Sequence, residues 1–345
     1  MSASATPAFR SGPAVDISCA FATSMATPGH VGLAEQLGYR RAWLYDSPAV
    51  YPDVWMILGR CAGRTSRIGL GPAVLVPSLR HPMVNAAAIA ALAELAPGRV
   101  AVAVGAGFTG RRALGQPPMR WSDVAGYVRV LRELLGGEES EWAGAAIQML
   151  HTPGFGASRP LEVPLLIAAT GPKGTAVAKE LGDGVFSVIT PHREAASFSW
   201  CALLSFGTVF GDGEDLASPR VAAALGPGAA VLYHAAYTQA GTEAIDSLPG
   251  GRAWRESVEA VPETSRHLTV HTGHLVEPNE RDRGHVQDVL QLAGRISLTG
   301  SAGDVAAKLG AFASAGVTEV AYQAAGPDIP RELRAFASAA GLPAS

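Results

Sequence analysis

Residues Arg67–Gly107 read RIGLGPAVLVPSLRHPMVNAAAIAALAELAPGRVAVAVGAG, and the periodicity changes twice along them. Ile68, Leu70, Val74, Leu75 and Val76 form a short apolar run broken by Gly69, Gly71 and Pro72. Such a run suits a parallel strand buried on both faces. Pro77, Ser78 and Pro82 then turn the chain. From Met83 to Leu95 the residues are alanine-rich helix formers, which place Val84, Ala87, Ala88, Ala91, Leu92 and Leu95 near one face. Pro97-Gly98 stops the helix. Val100, Val102 and Val104 open a second strand, which ends in Gly105-Ala106-Gly107. Glycines at the C-terminal end of a strand either serve tight packing or let backbone N–H groups approach an anion, and spacing alone leaves both open.

The same alternation continues outward. Val15–Phe21 and Ala42–Tyr45 read as strands, the second ending at Asp46, with helices over His30–Tyr39 and Asp53–Arg64. Val124, Val128, Leu131, Leu134 and Leu135 share a stripe on a helix from Trp121 to Leu135. Gly136–Val163 reads as a loop with a small hairpin, followed by a strand over Pro164–Ala169, a helix over Gly174–Leu181 and a strand over Val185–Ile189. A helix is expected through Trp200, Leu203 and Leu204, and a seventh strand at Val221–Leu225. Residues 226–295 form an expanded loop region after it. Ser301–Ala315 is a capped amphipathic helix, Val317–Tyr322 the eighth strand and Arg331–Ala339 the closing helix. Alternating strands and helices predict a parallel sheet, and eight strands select a closed barrel over an open one. The expected fold is α/β, a (β/α)8 TIM barrel with insertions after helix 4 and strand 7. Residues 1–13 read as a disordered tail and 14–345 as one domain.

Composition excludes several classes. With 27 Lys+Arg against 30 Asp+Glu, the chain carries a formal charge of −3 and no polyanion-binding signature, so nucleic acid is not expected. No apolar run reaches the ~18 residues of a membrane span. The N-terminus lacks a basic start followed by an apolar core, which predicts a cytoplasmic protein. Cys19, Cys61 and Cys201 are far apart and odd in number, as expected of reduced thiols. The histidines show no HExxH or other metal-ligand spacing, and no metal is expected.

Four segments resemble one family. They are GPAVLVPSLRHPMVNAAAIAALAELAPGRVAVAVGAG from Gly71, PLLIAATGPKGTAVAKELGDGV from Pro164, LAEQLGYRRAWLYDSPAVYPDVW from Leu33 and RISLTGSAGDVAAKLGAFASAGVTEV from Arg295. Together they resemble the bacterial-luciferase-like superfamily of TIM barrels. Within it the pattern is similar to the branch that uses the deazaflavin coenzyme F420, such as methylene-tetrahydromethanopterin reductase-like proteins. The resemblance implies an oxidoreductase that moves a hydride between C5 of coenzyme F420 and a small C=C or C=N substrate, with a biosynthetic role. An FMN-dependent monooxygenase and a non-catalytic ligand-binding barrel are the alternatives. It also implies a homodimer paired through the early helices.

Barrels of this architecture carry their sites at the C-terminal ends of the strands. There the resemblance places Asp46 against the deazaflavin. It assigns phosphate contact to two loops, Gly105, Ala106, Gly107 and Thr109, and Ala169, Thr170, Gly171 and Pro172. It places a non-proline cis peptide at Ala73–Val74. Arg111, Arg112 and Lys173 supply positive charge nearby. His192, just past a strand end, is the acid/base candidate, and His81 is expected to brace the third helix. His271 and His274, three apart, fit a substrate loop better than a metal pair. The sugar-phosphate dehydrogenase branch has a His and a Glu where this chain has Ser47 and Phe108, so sugar-phosphate oxidation is disfavoured and the proton donor is left unassigned.

Overall fold

The computed structural model of the protein describes residues 15–343. Eight parallel strands close into a barrel in sequence order. They are β1 (Asp16–Phe21), β2 (Arg41–Leu44), β3 (Gly69–Leu75), β4 (Val102–Gly105), β5 (Leu165–Ala168), β6 (Gly184–Val188), β7 (Cys201–Phe206) and β8 (Glu319–Gln323), with β8 pairing back onto β1. This is the expected (β/α)8 barrel. Its interior is filled mainly by small residues, Ala20, Ala73, Ala101, Ala103, Ala202 and Ala321, around the larger Trp43, Leu166 and Phe186. The N-terminal floor is polar. Trp43 Nε1 and Trp200 Nε1 each donate to the Glu319 carboxylate at 2.8 Å, and the Arg41 guanidinium lies over both indoles.

The helices begin where the sequence offers caps. Asp53 accepts from the Trp55 and Met56 N–H groups, and the His81 imidazole accepts from Met83 N–H, its expected bracing role. Ser301 and Asp304 form a reciprocal capping box on the helix Ala302–Ser314, whose Val305 and Leu309 are buried. The helix Pro82–Leu95 buries Asn85, Ala86, Ile89, Ala90 and Leu92. Val84 and Leu95 of the anticipated stripe are instead 53% and 56% exposed. The inward face is anchored by a buried amide: Trp55 Nε1 donates to Asn85 Oδ1 at 3.0 Å, and Asn85 Nδ2 donates to the Tyr127 hydroxyl at 2.6 Å.

A small antiparallel hairpin, Ser140–Trp142 with Ala145–Ile147, follows the helix Trp121–Gly136. The seventh strand departs from expectation. It is Cys201–Phe206, expected as a helix, while Val221–Leu225 lies inside the helix Pro219–Ala235. A short apolar run such as CALLSF carries no periodicity that separates strand from helix. The Gly226-Pro227-Gly228 triplet sits within the helix. There the bare Gly228 lets the backbone rest on the Phe206 ring: a Cβ would come within 2.2 Å of it. Several helices between β7 and β8 gather a second core around Tyr233, Trp254, Val258, Val289 and Leu290. This insertion leans over the C-terminal mouth of the barrel. The expected disorder of residues 1–13 lies outside the described residues.

Candidate active site

The C-terminal strand ends and the insertion enclose a cavity of about 200 Å³. Its walls are mostly apolar: Val74 and Val76 after the β3 bulge, Phe108, Phe186 of β6, Leu204 of β7, and Leu275 from the insertion. Polar groups reach it at few points, chiefly Tyr45, Asp46, Ser47, Thr109 and His274. No Lys or Arg lines it among the described residues.

Asp46 follows β2 and is 3% exposed. Arg80 Nη1 donates to both its oxygens, at 2.9 and 2.8 Å, while Arg80 Nη2 reaches Asp53 at 2.7 Å. Burial pushes the Asp46 carboxyl above its usual range, and the Arg80 guanidinium draws it back. The β3–β4 register shifts between Ala73 and Leu75, and the Ala73–Val74 peptide is cis, where the resemblance placed it. This bulge presents Val74 to the cavity.

The glycines divide by role. A Cβ on Gly105 would press on Val74 at 2.9 Å. One on Gly107, whose φ is +81°, would strike Val76 at 2.4 Å. These two serve packing around the bulge. Gly171 differs: a Cβ there meets nothing within 4 Å, and the residue is exposed at the N-cap of the helix Pro172–Leu181. No side chain caps that terminus, so its first-turn N–H groups are open to an anion. Thr170 and Lys173 are exposed beside it, while Ala169 is buried behind. Arg111 Nε donates to the Pro117 carbonyl and Arg112 stacks over Phe108 at 5.4 Å, so both hold the loop that carries Thr109.

His192 is not among the residues lining the cavity. Its Nδ1 accepts from Glu194 N–H at 3.1 Å, which leaves Nε2 to donate to Thr175 Oγ1 at 3.0 Å. With both nitrogens taken and its ring edge-on to Phe198, His192 braces its loop rather than facing a substrate. The site also holds His274, read from the sequence with His271 as a substrate-loop candidate, and behind it residues that sequence reasoning missed. His274 reaches Thr109, and behind it His234, Asp282 and Trp254 form a buried chain of hydrogen bonds. Tyr45 also lines the cavity, and its buried hydroxyl has no hydrogen-bond partner among the described residues.

Fold and site together define a (β/α)8 barrel with an enclosed, largely apolar cavity over the C-terminal ends of its strands, where such barrels carry their ligands. The chain belongs to the luciferase-like monooxygenase family, whose profile matches residues 26–319. It is similar to an F420-dependent glucose-6-phosphate dehydrogenase of Beutenbergia cavernae, 35% identical over 52% of this chain and 57% of that protein. It is also similar to a 5,10-methylenetetrahydromethanopterin reductase of Archaeoglobus fulgidus, 32% identical over 45% of this chain and 47% of the relative. The chain thus spans about half the length of the curated relatives it matches. Among solved structures it shares its fold with an F420-dependent secondary alcohol dehydrogenase in complex with an F420-acetone adduct. That likeness has a TM-score of 0.67 at 18% identity, covering 94% of this chain and 98% of the other.

Proposed function

We propose that this chain is an F420-dependent oxidoreductase that transfers a hydride to or from a small, uncharged substrate. The observation that carries the reading is the pairing at the barrel mouth of the bulge-floored cavity with the open helix N-terminus at Gly171. A planar ring with a phosphate-bearing chain needs both. The residues present fit such a group: Gly171 leaves room for a close anion, and Val74 and Asp46 face the ring's place in the cavity. The deazaflavin, rather than FMN, is supported by the names of the relatives. When bound, it supplies a two-electron hydride acceptor or donor at C5.

This chain's own residues would do the rest. The N–H groups after Gly171, with Thr170 and Pro172 setting the turn, would hold the phosphate. The Ala73–Val74 bulge would support the ring, Asp46 would lie at its edge, and the Gly105–Thr109 loop would pack behind it. Phe108, Phe186 and Leu275 would exclude water from the reacting atoms. Among the described residues no Lys or Arg lines the cavity to counter a sugar phosphate, which supports a substrate other than the one named for the relative in Beutenbergia cavernae. We also take the chain as a homodimer. Val84, Ala88, Ala91 and Leu95 form an unburied apolar line on the helix Pro82–Leu95, and Met56 on the neighbouring helix is 71% exposed.

An oxygen electrode tests the choice of chemistry. Reduced FMN with the protein should give no oxygen uptake above that of free flavin. Uptake that depends on protein and an aliphatic substrate would instead establish the monooxygenase.

A further inference from the structure

The insertion carries a buried chain of hydrogen bonds to the cavity wall. Asp282 is 1% exposed and accepts from three donors. Trp254 Nε1 lies 2.8 Å from Oδ1, Asn279 Nδ2 lies 2.8 Å from Oδ2, and His234 Nε2 lies 3.2 Å from Oδ2. The Asn279 amide is oriented by its other end, where Oδ1 accepts from Asp282 N–H at 3.0 Å. An indole N–H and an amide NH₂ can only donate, so this carboxyl is an acceptor and His234 carries its proton on Nε2. His234 Nδ1 is then a lone pair. His274 Nδ1 lies 3.0 Å from it and must be the donor. That leaves His274 Nε2 without a proton, 3.2 Å from Thr109 Oγ1, which donates to it at the cavity wall.

The surroundings keep that imidazole neutral. Burial, with His234 and His271 beside it, holds His274 well below the ordinary imidazole range. His271 packs edge-on against it at 5.4 Å, Arg112 and His267 bear on His271, and the Tyr51 hydroxyl donates to the His274 carbonyl at 2.6 Å. A neutral imidazole whose lone pair holds the Thr109 hydroxyl can take that proton while the Thr109 oxygen takes one from a bound hydroxyl, and its conjugate acid reverses the exchange towards a carbonyl oxygen.

We infer that His274 Nε2 exchanges a proton, through the Thr109 hydroxyl, with the oxygen of a small apolar secondary alcohol or its ketone, with His234 and Asp282 as the positioning pair behind it. The inference rests on the hydride-transfer reading above. In oxidation, the substrate O–H bond breaks and its proton joins Thr109 Oγ1, whose own proton passes to His274 Nε2. The Nδ1 proton of His274 crosses to His234 Nδ1, so the positive charge comes to rest beside the Asp282 carboxylate. The carbinol C–H bond breaks with its electron pair, leaving as hydride to the oxidised deazaflavin, and the C=O bond forms. The unpartnered Tyr45 hydroxyl is available to the same substrate oxygen.

The test begins with histidine ¹⁵N NMR on the wild-type protein without cofactor. His274 should be the Nδ1–H tautomer and His234 the Nε2–H tautomer. Turnover is then measured with F420 and cyclohexanol or cyclohexanone, for wild type, His274→Gln and Asp282→Asn, with F420 binding followed separately by fluorescence. His274→Gln should lower kcat by ~10²–10⁴-fold. Asp282→Asn should lower kcat and move the acid limb of its pH profile downward, because His234 loses the anion that holds its charge. A bracing role alone would leave that limb in place. An Nε2–H tautomer at His274, or a His274→Gln enzyme within threefold of wild type, would overturn the assignment. F420 binding with no turnover of either probe would overturn the substrate class. Should a variant fail to fold, the wild-type tautomers still decide the relay. Absence of F420 binding by wild type would remove the cofactor reading and the hydride step with it.

Discussion

His271→Leu should stabilise the protein, and more so in acid. His271 is 3% exposed, packed edge-on against His234 and His274, and neither ring nitrogen has a hydrogen-bond partner among the described residues. Leaving one buried polar atom unsatisfied costs roughly 1–3 kcal/mol, so a leucine of similar volume should gain about that much at pH 8. Protonation adds a second effect. Burial, then the neighbouring His234, Arg112 and His267, push the imidazole down to about 3. The unfolded chain binds a proton near pH 6.5 and the folded chain does not. Folded stability is therefore fully present above that pH and falls as the pH drops towards 3, at about 1.4 kcal/mol per unit. At pH 5 the wild type should have lost roughly 2 kcal/mol through this residue alone, a loss the leucine variant avoids. For a chain of this size that corresponds to about 3 °C in melting temperature. Thermal unfolding of both proteins at pH 8 and pH 5, followed by circular dichroism, measures it. The variant's advantage should widen by that amount on acidification. An advantage that stays constant or shrinks would refute the reasoning, because it would mean that His271 finds a partner or takes up its proton in the folded state.

Three further outcomes follow from the geometry. Arg80→Met removes the partner of a buried carboxylate and should cost about 3–5 kcal/mol, seen as a melting temperature lower by several degrees. An unchanged melt would show that Asp46 is carried neutral. Gly171→Val adds bulk to open space and should leave the melting temperature within a degree while weakening F420 binding at least tenfold. Equal affinity in calorimetric titration would move the phosphate site elsewhere. Ala91→Arg in the exposed apolar line of Pro82–Leu95 should convert a dimer to a monomer by light scattering, and a wild type already monomeric would reject the pairing.

What the sequence made legible follows periodicity and caps. The stretch Arg67–Gly107 could be read because its glycines, prolines and apolar spacing agree on strand, turn, helix and strand. Asp46 stood at a strand end, and His81-Pro82 announced a helix start. The seventh strand was not legible, because CALLSF is apolar throughout and the helix after it contains Gly226-Pro227-Gly228. His192 misled for a different reason. Its position past a strand end was right, but sequence position does not reveal that Glu194 N–H and Thr175 would take both nitrogens. The relay was hidden because His234, His274 and Asp282 come from separate parts of the insertion and have no shared spacing. The one trace of it was the His271–His274 pair. The companion signals were a tryptophan, an Asn-x-x-Asp cap and a third histidine within an otherwise apolar region. Only packing joins them.

Deazaflavin binding at the barrel mouth is measured by titrating one sample of the protein with F420 and another with FMN, following ligand fluorescence in both. F420 should bind at micromolar concentration or tighter, and FMN more weakly. Tight FMN binding with no detectable F420 binding would contradict it.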